Sequence, residues 1–139
     1  MSDSGTVLIT GAARRIGRAL ALTLASRGWG VGLHCGTSRH EAESLAADIA
    51  ASGGKATVLP ADLADMEAVE GLIPRCATAL GAPVCLVNNA ATFHEDTLQT
   101  LAPDTWGRQM AINLRAPIFL AKHFAGHLPA GKQRNNIHI

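Results

Sequence analysis

Residues 10–17 read TGAARRIG and join a short apolar run, TVLI, to a stretch with helical periodicity. Backbone N–H groups at the start of a helix are unpaired and favour an anion, so a glycine-flanked turn here is typical of a phosphate site. Gly11 permits a tight turn, and Gly17 lets the helix and the strand approach closely. Glycine turns also serve purely structural connections, so this stretch alone leaves both interpretations open.

Apolar runs and helical patterns alternate along the whole chain. The apolar runs predict strands at residues 6–10, 30–35, 55–62 and 83–90, with a fifth strand beginning at 135–139. The helical patterns cover residues 16–27, 38–53, 65–80 and 104–127. Ser38 and Glu41 form a predicted capping box, and Asp65 and Asp104 are predicted caps of the next two helices.

This alternation predicts the fold class. Continuous apolar strands joined by helices are typical of a parallel sheet that is covered on both faces. Right-handed crossovers and a chain reversal after the third strand give a Rossmann-type, doubly wound α/β sheet with strand order 3-2-1-4-5. Residues 1–139 form one domain in this interpretation, and a ligand is expected at the carboxyl ends of strands one and four.

Composition excludes several classes of protein. A formal net charge of +1 and a pI near 7.8, with dispersed basic residues, argue against a nucleic-acid or membrane-surface binder. No apolar run is long enough to span a bilayer, and the N-terminus lacks an export signal, so a cytoplasmic location is expected. The three cysteines and six histidines have no metal-ligand spacing, so we expect no metal site, and the thiols are predicted to be reduced and buried.

The end of the second strand indicates which dinucleotide the turn accepts. A ribose with a free 2′-hydroxyl is usually bound by an acid at this place, which is occupied by Cys35 and followed by Gly36, Thr37 and Ser38. Arg14 and Ser38 can instead bind a 2′-phosphate, so the sequence favours NADP(H) over NAD. Arg14 as a solvated loop residue without a ligand is the alternative.

Three further positions carry polar groups near the same edge of the sheet. Asp62 and Leu63 follow the third strand and are predicted to border an adenine. Asn89 and Ala90 end the fourth strand within NNAA, where they suit either a cofactor-lining role or a plain turn. Asn113 lies inside the predicted fourth helix, and because asparagine disfavours helix interiors it is either a site residue or a kink.

Together these positions resemble the short-chain dehydrogenase/reductase family over the whole chain. The family pattern TGxxxGxG, then Asp-[Val/Leu/Ile], NNAG and a helical asparagine is matched at Thr10, Gly11, Gly17, Asp62-Leu63, Asn88-Asn89-Ala90 and Asn113. Arg15 replaces the middle glycine, and Ala91 replaces the glycine of NNAG. The resemblance implies NADP(H) as cofactor, with Asn113 in the catalytic machinery and a homo-oligomer in the full-length form. It also implies cofactor contacts from Gly11, Arg14, Arg15, Ile16, Gly17, Thr37, Ser38, Asp62, Leu63, Asn89 and Ala90.

Within the family, the chain is similar to the pteridine reductase branch. TGAARRIGRAL, with Arg15 in the turn, the Leu33-His34 pair, Ser38 and the phenylalanine of NNAATF carry this similarity. It implies that Phe93 stacks on a pterin or dihydrofolate ring opposite the nicotinamide, with quinones or simple ketones as the second substrate class. A core or loop-anchoring role is the alternative for Phe93.

The same resemblance implies a serine or aspartate after strand five and a Tyr-x-x-x-Lys pair on the next helix. The chain has no tyrosine and ends at Ile139, so it is expected to be the N-terminal part of a longer enzyme and inactive alone. A non-catalytic dinucleotide-binding or regulatory protein is the alternative function.

Overall fold

Strands and helices alternate throughout residues 4–139, the part of the chain that the computed structural model describes. The strands are β1 (Thr6–Ile9), β2 (Gly30–Cys35), β3 (Lys55–Pro60), β4 (Pro83–Asn88) and β5 (Asn135–His138). The α-helices are α1 (Arg15–Ser26), α2 (Arg39–Ala51), α3 (Met66–Leu80), α4 (Pro103–Met110) and α5 (Ala116–Gly126), and a π-helical turn, Ala111–Arg115, joins the last two.

The five strands form one parallel sheet in the order β3-β2-β1-β4-β5. The predicted Rossmann-type topology is therefore confirmed. The chain turns from one half of the sheet to the other between β3 and β4, so the carboxyl ends of β1 and β4 border the crevice at the point where the strand order reverses.

Two apolar clusters cover the two faces of the sheet, because successive side chains of a strand point to opposite sides. Leu8 of β1 packs on the face covered by α3 and α5, together with Leu72, Ile73, Leu86 and Leu120. Its neighbours Val7 and Ile9 pack on the face covered by α1 and α2, with Val31, Leu33, Leu45 and Ile49. The sheet whose edge forms the crevice is therefore packed between two layers of helices.

The prediction of one helix from Asp104 to about His127 is wrong in two details. The helical segment begins at Pro103, Ala102 is its N-cap without a side-chain hydrogen bond, and Asp104 lies in the first turn. A π-helical turn at Ala111–Arg115 interrupts the α-helical geometry just before Pro117. Proline cannot donate to the carbonyl four residues earlier and clashes with it, so the wider turn accommodates this residue.

One of the two remaining cap predictions is confirmed. The Asp65 carboxylate accepts a hydrogen bond from the Glu67 backbone N–H at 3.0 Å and caps α3. The capping box of Ser38 and Glu41 is wrong, since Ser38 is the N-cap of α2 but its side chain makes no cap hydrogen bond. Glu41 instead accepts from Arg14 of the glycine turn.

Cys35, Cys76 and Cys85 are free and buried, as predicted for the thiols. Burial raises the pKa of all three and takes that of Cys76 to about 12, so these thiols stay protonated at neutral pH. Among residues 4–139, no helix is both long and apolar enough to cross a membrane. No group of three metal-ligating side chains occurs within the same residues.

Candidate cofactor-binding site

The glycine turn after β1 has a backbone that only small residues allow at two positions. Gly11 has a φ of +61°, and a Cβ there would lie 3.0 Å from the Cα of Ala90. A Cβ on Gly17 would overlap the Gly11 carbonyl oxygen and lie 2.7 Å from the Nδ2 of Asn89. The turn, the start of α1 and the end of β4 are thus in close contact, with the Asn89 amide between them. The first backbone N–H groups of α1, which have no partner within the helix, lie at this edge and can bind an anion.

Arg15 occupies the place of the family's middle glycine and keeps a glycine-like backbone. Its φ is +51°, in the left-handed region that costs a non-glycine residue about 1–2 kcal/mol. Of the non-glycine residues described, it alone has a positive φ. The arginine is therefore held in a strained conformation at the mouth of the crevice, beside Arg14.

Thr10 and Asn89 fasten this turn to the end of β4. The Thr10 hydroxyl oxygen accepts from the backbone N–H groups of Asn89 and Ala90 at 3.0 and 2.9 Å. The Asn89 side-chain amide donates to the carbonyl oxygens of Thr10 and Gly11 at 3.0 and 3.1 Å. The Asn89 side chain therefore stabilises the glycine turn by binding the backbone carbonyl oxygens of that turn. This role is more specific than the plain turn that the sequence left open.

His34 is the functional candidate that the sequence did not single out. Its Nδ1 accepts from the Gly11 N–H at 3.0 Å, and its Nε2 lies 2.9 Å from the carbonyl oxygen of Ala61. The side chain is buried, and burial lowers the pKa of the imidazole, so the ring is neutral at pH 7. The signals available in the sequence were its place in the Leu33-His34 pair of the branch resemblance and its position at the end of β2, where a core histidine looks the same.

The region predicted for the 2′-phosphate has one unexpected feature. Gly36, Thr37 and Ser38 line the crevice, while Cys35 points away from it and packs against Ala13 and Ala42. Arg14 is engaged by Glu41, whose carboxylate oxygen lies 2.6 Å from a guanidinium nitrogen. This hydrogen bond is the main cause that lowers the pKa of Glu41. A carboxylate therefore stands beside the cation expected to bind phosphate.

Asp62, which the sequence predicts to border an adenine, is paired with an arginine that the sequence did not indicate. Arg108 of α4 approaches both carboxylate oxygens of Asp62 at 3.3 Å. The pKa of Asp62 is lowered, first by the hydrogen bond from the Ala64 N–H and then by Arg108. Arg108 lies one helical turn before Ile112, which also lines the crevice, so helical spacing from the asparagine region could have indicated it.

Asn113 lies within the π-helical turn and binds the loop after β4. Its Oδ1 accepts from the Thr92 N–H at 2.8 Å, and its Nδ2 donates to the Thr92 carbonyl oxygen at 2.7 Å. Asn113 therefore lies at a helix irregularity, in agreement with the kink alternative, and fixes the loop that borders the crevice. Its catalytic role stays a prediction. Phe93 follows in that loop with 85% of its surface exposed, which excludes a core position.

A single crevice of about 820 Å³ brings these groups together. Every residue expected to contact the cofactor lines it except Gly17, which lies beneath the turn. Asn113 and Phe93 do not reach it. The remaining lining residues are His34, Gly36, Pro60, Ala61, Ala91, Thr92, Arg108 and Ile112. The glycine cradle and the two arginines of the turn fit the pyrophosphate of a dinucleotide.

Comparison with known proteins agrees with this architecture. Residues 5–138 match the short chain dehydrogenase family. The short-chain dehydrogenase/reductase FrzI of a Cladobotryum species is 35% identical over 130 residues, covering 94% of this chain and 50% of that protein. The 3-oxoacyl-[acyl-carrier-protein] reductase FabG of Staphylococcus aureus is 31% identical over 83% of this chain and 47% of its own length.

Solved structures extend the similarity to three dimensions. FolM alternative dihydrofolate reductase 1 from Brucella canis, complexed with NADP, superposes with a TM-score of 0.93 and 38% identity, covering 99% of this chain and 55% of that one. A short chain dehydrogenase from Burkholderia cenocepacia, also in complex with NADP, gives 0.87 and 35%, covering 94% and 53%. The chain spans about half the length of these relatives. It belongs to the short chain dehydrogenase family.

Proposed function

We propose that this chain forms the NADP(H)-binding part of an NADPH-dependent reductase. The observation that carries the proposal is the crevice at the strand-order reversal, where a glycine cradle and two arginines meet and no acid stands at the end of β2. The similar FolM and Burkholderia structures, both complexed with NADP, support the same cofactor. A cytoplasmic protein that assembles as a homo-oligomer in its full-length form is part of this proposal.

The cofactor preference rests on Arg14. A charge-assisted contact to a 2′-phosphate is worth about 1.5–3 kcal/mol, so Arg14→Ala is expected to weaken NADP⁺ binding by roughly ten- to a hundredfold. NAD⁺ lacks that phosphate, and its affinity should change less than about twofold. Calorimetric titration of the protein and the variant with both nucleotides measures this, and equal or tighter binding of NAD⁺ by the unaltered protein would contradict the proposal.

Glu41 refines the same prediction, because it holds Arg14 before any phosphate arrives. Glu41→Gln removes a carboxylate beside the expected 2′-phosphate and is expected to tighten NADP⁺ binding about two- to fivefold, with little change for NAD⁺. Glu43→Gln is the matched control, since Glu43 lies on the same helix and pairs with Arg39 instead. In the Arg14→Ala background, the part of the effect that comes from releasing Arg14 should be lost, and only the part due to repulsion between the Glu41 carboxylate and the phosphate should remain.

The proposed substrate is a flat conjugated ring, a pterin or dihydrofolate. Phe93 offers an exposed aromatic face in the loop that Asn113 fixes beside the crevice. The 38% identity to an alternative dihydrofolate reductase supports the same substrate class. Quinones and simple ketones remain the second class, because the match to the family as a whole does not depend on Phe93.

In an enzyme that extends this chain to the length of its relatives, Phe93→Ala is expected to raise the KM for a dihydropterin about five- to thirtyfold, since ring stacking and its buried area are lost. Phe93→Tyr keeps the ring and should stay near the starting value. Steady-state kinetics with a dihydropterin and with a small ketone measure both. An enzyme that reduces ketones well and pterins not at all would refute the pterin assignment while leaving NADPH-dependent reduction intact.

A second candidate function is a non-catalytic dinucleotide-binding or regulatory protein. The crevice supports it equally, because the residues that line it can bind a dinucleotide whether or not a proton donor completes the site. Sequencing the coding DNA beyond codon 139 distinguishes the two functions. A Tyr-x-x-x-Lys motif in the continuing protein supports the reductase, and a closed reading frame without it supports the binding protein.

A further inference from the structure

His34 joins three segments that border the cofactor crevice. It belongs to β2, its Nδ1 receives the Gly11 N–H of the glycine turn, and its Nε2 faces the carbonyl oxygen of Ala61 after β3. With 2% of its surface exposed, the ring has almost no access to bulk water, yet it lies in the wall of the crevice. Among the described residues, His34 is thus the side chain that accepts the hydrogen bond of the Gly11 backbone N–H, on the side of the turn that faces the protein interior.

The two partners determine the protonation state of the ring. A backbone N–H donates, so Nδ1 must carry a lone pair, and a carbonyl accepts, so Nε2 must carry the proton. Only the neutral Nε2–H tautomer satisfies both groups. An imidazolium has N–H groups at both positions, and its Nδ1–H would oppose the Gly11 N–H.

We propose that neutral His34 is a positioning residue for the cofactor: it holds the Gly11 turn in the shape that receives the pyrophosphate, and protonation of its ring releases that turn and weakens binding. This inference rests on the dinucleotide binding proposed above. The strained backbone nearby gives the hydrogen bond its importance, since Gly11 has a positive φ and Arg15 adopts a conformation unfavourable for its residue type. Without an acceptor at Nδ1, the Gly11 N–H would be left unpaired beneath the turn.

The electrostatic surroundings favour the neutral ring. Burial is the largest cause that lowers the pKa of His34, the Ala61 hydrogen bond raises it, and the positive charge of Arg75 on α3 lowers it. The charged groups that face the same crevice from the glycine turn, the β3 end and α4 are Arg14, Arg15, Asp62 and Arg108. Asp62 is paired with Arg108, and Glu41 with Arg14. Among residues 4–139, Arg15 and Arg75 form no ion pair, so the charge that remains around the ring is positive.

The sign of the pH effect follows from this lowered pKa. The folded, binding-competent state holds fewer protons at His34 than the unfolded chain, whose histidine titrates near about 6.5. The contribution is complete above that pH and is lost progressively as the pH falls toward the pKa of the folded state. The alternative predicts the opposite pH dependence. If a charged His34 attracted the phosphates of the cofactor, acidification would strengthen NADP⁺ binding.

Two substitutions separate the two hydrogen bonds. In His34→Asn, the side-chain oxygen can take the place of Nδ1 and accept from Gly11, whereas in His34→Gln the longer amide reaches the place of Nε2 and donates to Ala61. Calorimetry with NADP⁺ at pH 7.5 is expected to give His34→Asn within about threefold of the unaltered protein and His34→Gln weaker by about five- to thirtyfold. Circular dichroism checks that both variants are folded, and a folded His34→Gln with unchanged affinity would overturn the inference.

The pH dependence supplies a readout that a merely structural role would not change. The 2′-phosphate of NADP⁺ titrates near pH 6 itself, so the measured quantity is the Kd of the unaltered protein divided by that of His34→Asn at each pH, in which ligand protonation cancels. This ratio is expected to rise about three- to tenfold as the pH falls from 7.5 through the range in which the His34 ring, followed by NMR, takes up its proton. A constant or falling ratio would overturn the role of His34 but leave the proposed function intact. A protein that binds no NADP⁺ at pH 7.5 would refute the proposed function as well.

Discussion

A polypeptide of these 139 residues is expected to bind NADPH without oxidising it at an enzymatic rate. A proton donor must lie within hydrogen-bond reach of the reacting atom, and the family resemblance assigns that role to a tyrosine, which this chain lacks. General acid catalysis contributes roughly 10²- to 10⁴-fold to the reaction rate. Without the lysine of the implied Tyr-x-x-x-Lys pair and without further substrate contacts, the positioning of the reactants is lost as well. Absorbance of NADPH, followed with a dihydropterin and a panel of carbonyl compounds, should therefore decay at the rate seen without protein.

The control for this experiment is binding. The same preparation, its mass verified, must bind NADP⁺ in calorimetry, so that absent turnover is due to missing catalytic groups. Turnover at about 1 s⁻¹ or faster, an ordinary enzymatic rate, would contradict the prediction and show that another side chain supplies the proton. His94 is the first candidate, because it follows Phe93 and exposes 59% of its side chain near Asp96. His94→Gln should then abolish the activity.

The topology could be predicted because it depends on strong, local signals. Each strand is a short apolar run bounded by turn residues, and each helix has a periodic apolar face, so the alternation was readable throughout the chain. The right-handed crossover rule then leaves few arrangements, and the order β3-β2-β1-β4-β5 is one of them. In that order β1 and β4 are neighbours, so their carboxyl ends lie side by side. For this reason most residues that line the crevice could be named in advance.

Features that depend on contacts between distant segments were not readable in the same way. The Ser-x-x-Glu pattern at Ser38 indicates a capping box, but Glu41 pairs with Arg14, 27 residues earlier in the chain. Arg108 likewise pairs with Asp62, 46 residues away. In each case a charged side chain pairs with a residue far away in the chain, and local patterns carry no information about such pairs.

The π-helical turn shows a second kind of limit. Asn113 and Pro117 both disfavour a regular helix, so the sequence indicated a disturbance in this segment without specifying its form. A kink, a break and a π-turn all relieve the proline. The two hydrogen bonds between Asn113 and Thr92 accompany the π-turn, and they join the helix to a loop whose position no periodic pattern defines.

Gly17→Ala is expected to destabilise the fold more than any other single methyl group added to a helix of this protein. The new Cβ would overlap the Gly11 carbonyl oxygen, a backbone atom that cannot rotate away. Relief requires moving the turn, which breaks the Asn89 hydrogen bond to that oxygen and disturbs the His34 bond to the Gly11 N–H. Overpacking of this kind, together with the lost hydrogen bonds, is expected to lower the free energy of unfolding by about 3 kcal/mol or more.

Gly71→Ala is the matched control, because it adds the same methyl group to the interior of α3, where the nearest atom outside the helix backbone is the Cδ of Arg75 at 3.9 Å. Alanine is the better helix former and restricts the unfolded chain, so this variant is expected to gain about 0.4–1 kcal/mol. Urea unfolding followed by circular dichroism measures both changes, and NADP⁺ binding should be lost in Gly17→Ala and kept in Gly71→Ala. If Gly17→Ala unfolded at the same urea concentration as the unaltered protein, α1 would have to stand further from the turn than in this structure, and the glycine cradle for the pyrophosphate would not exist in the form described.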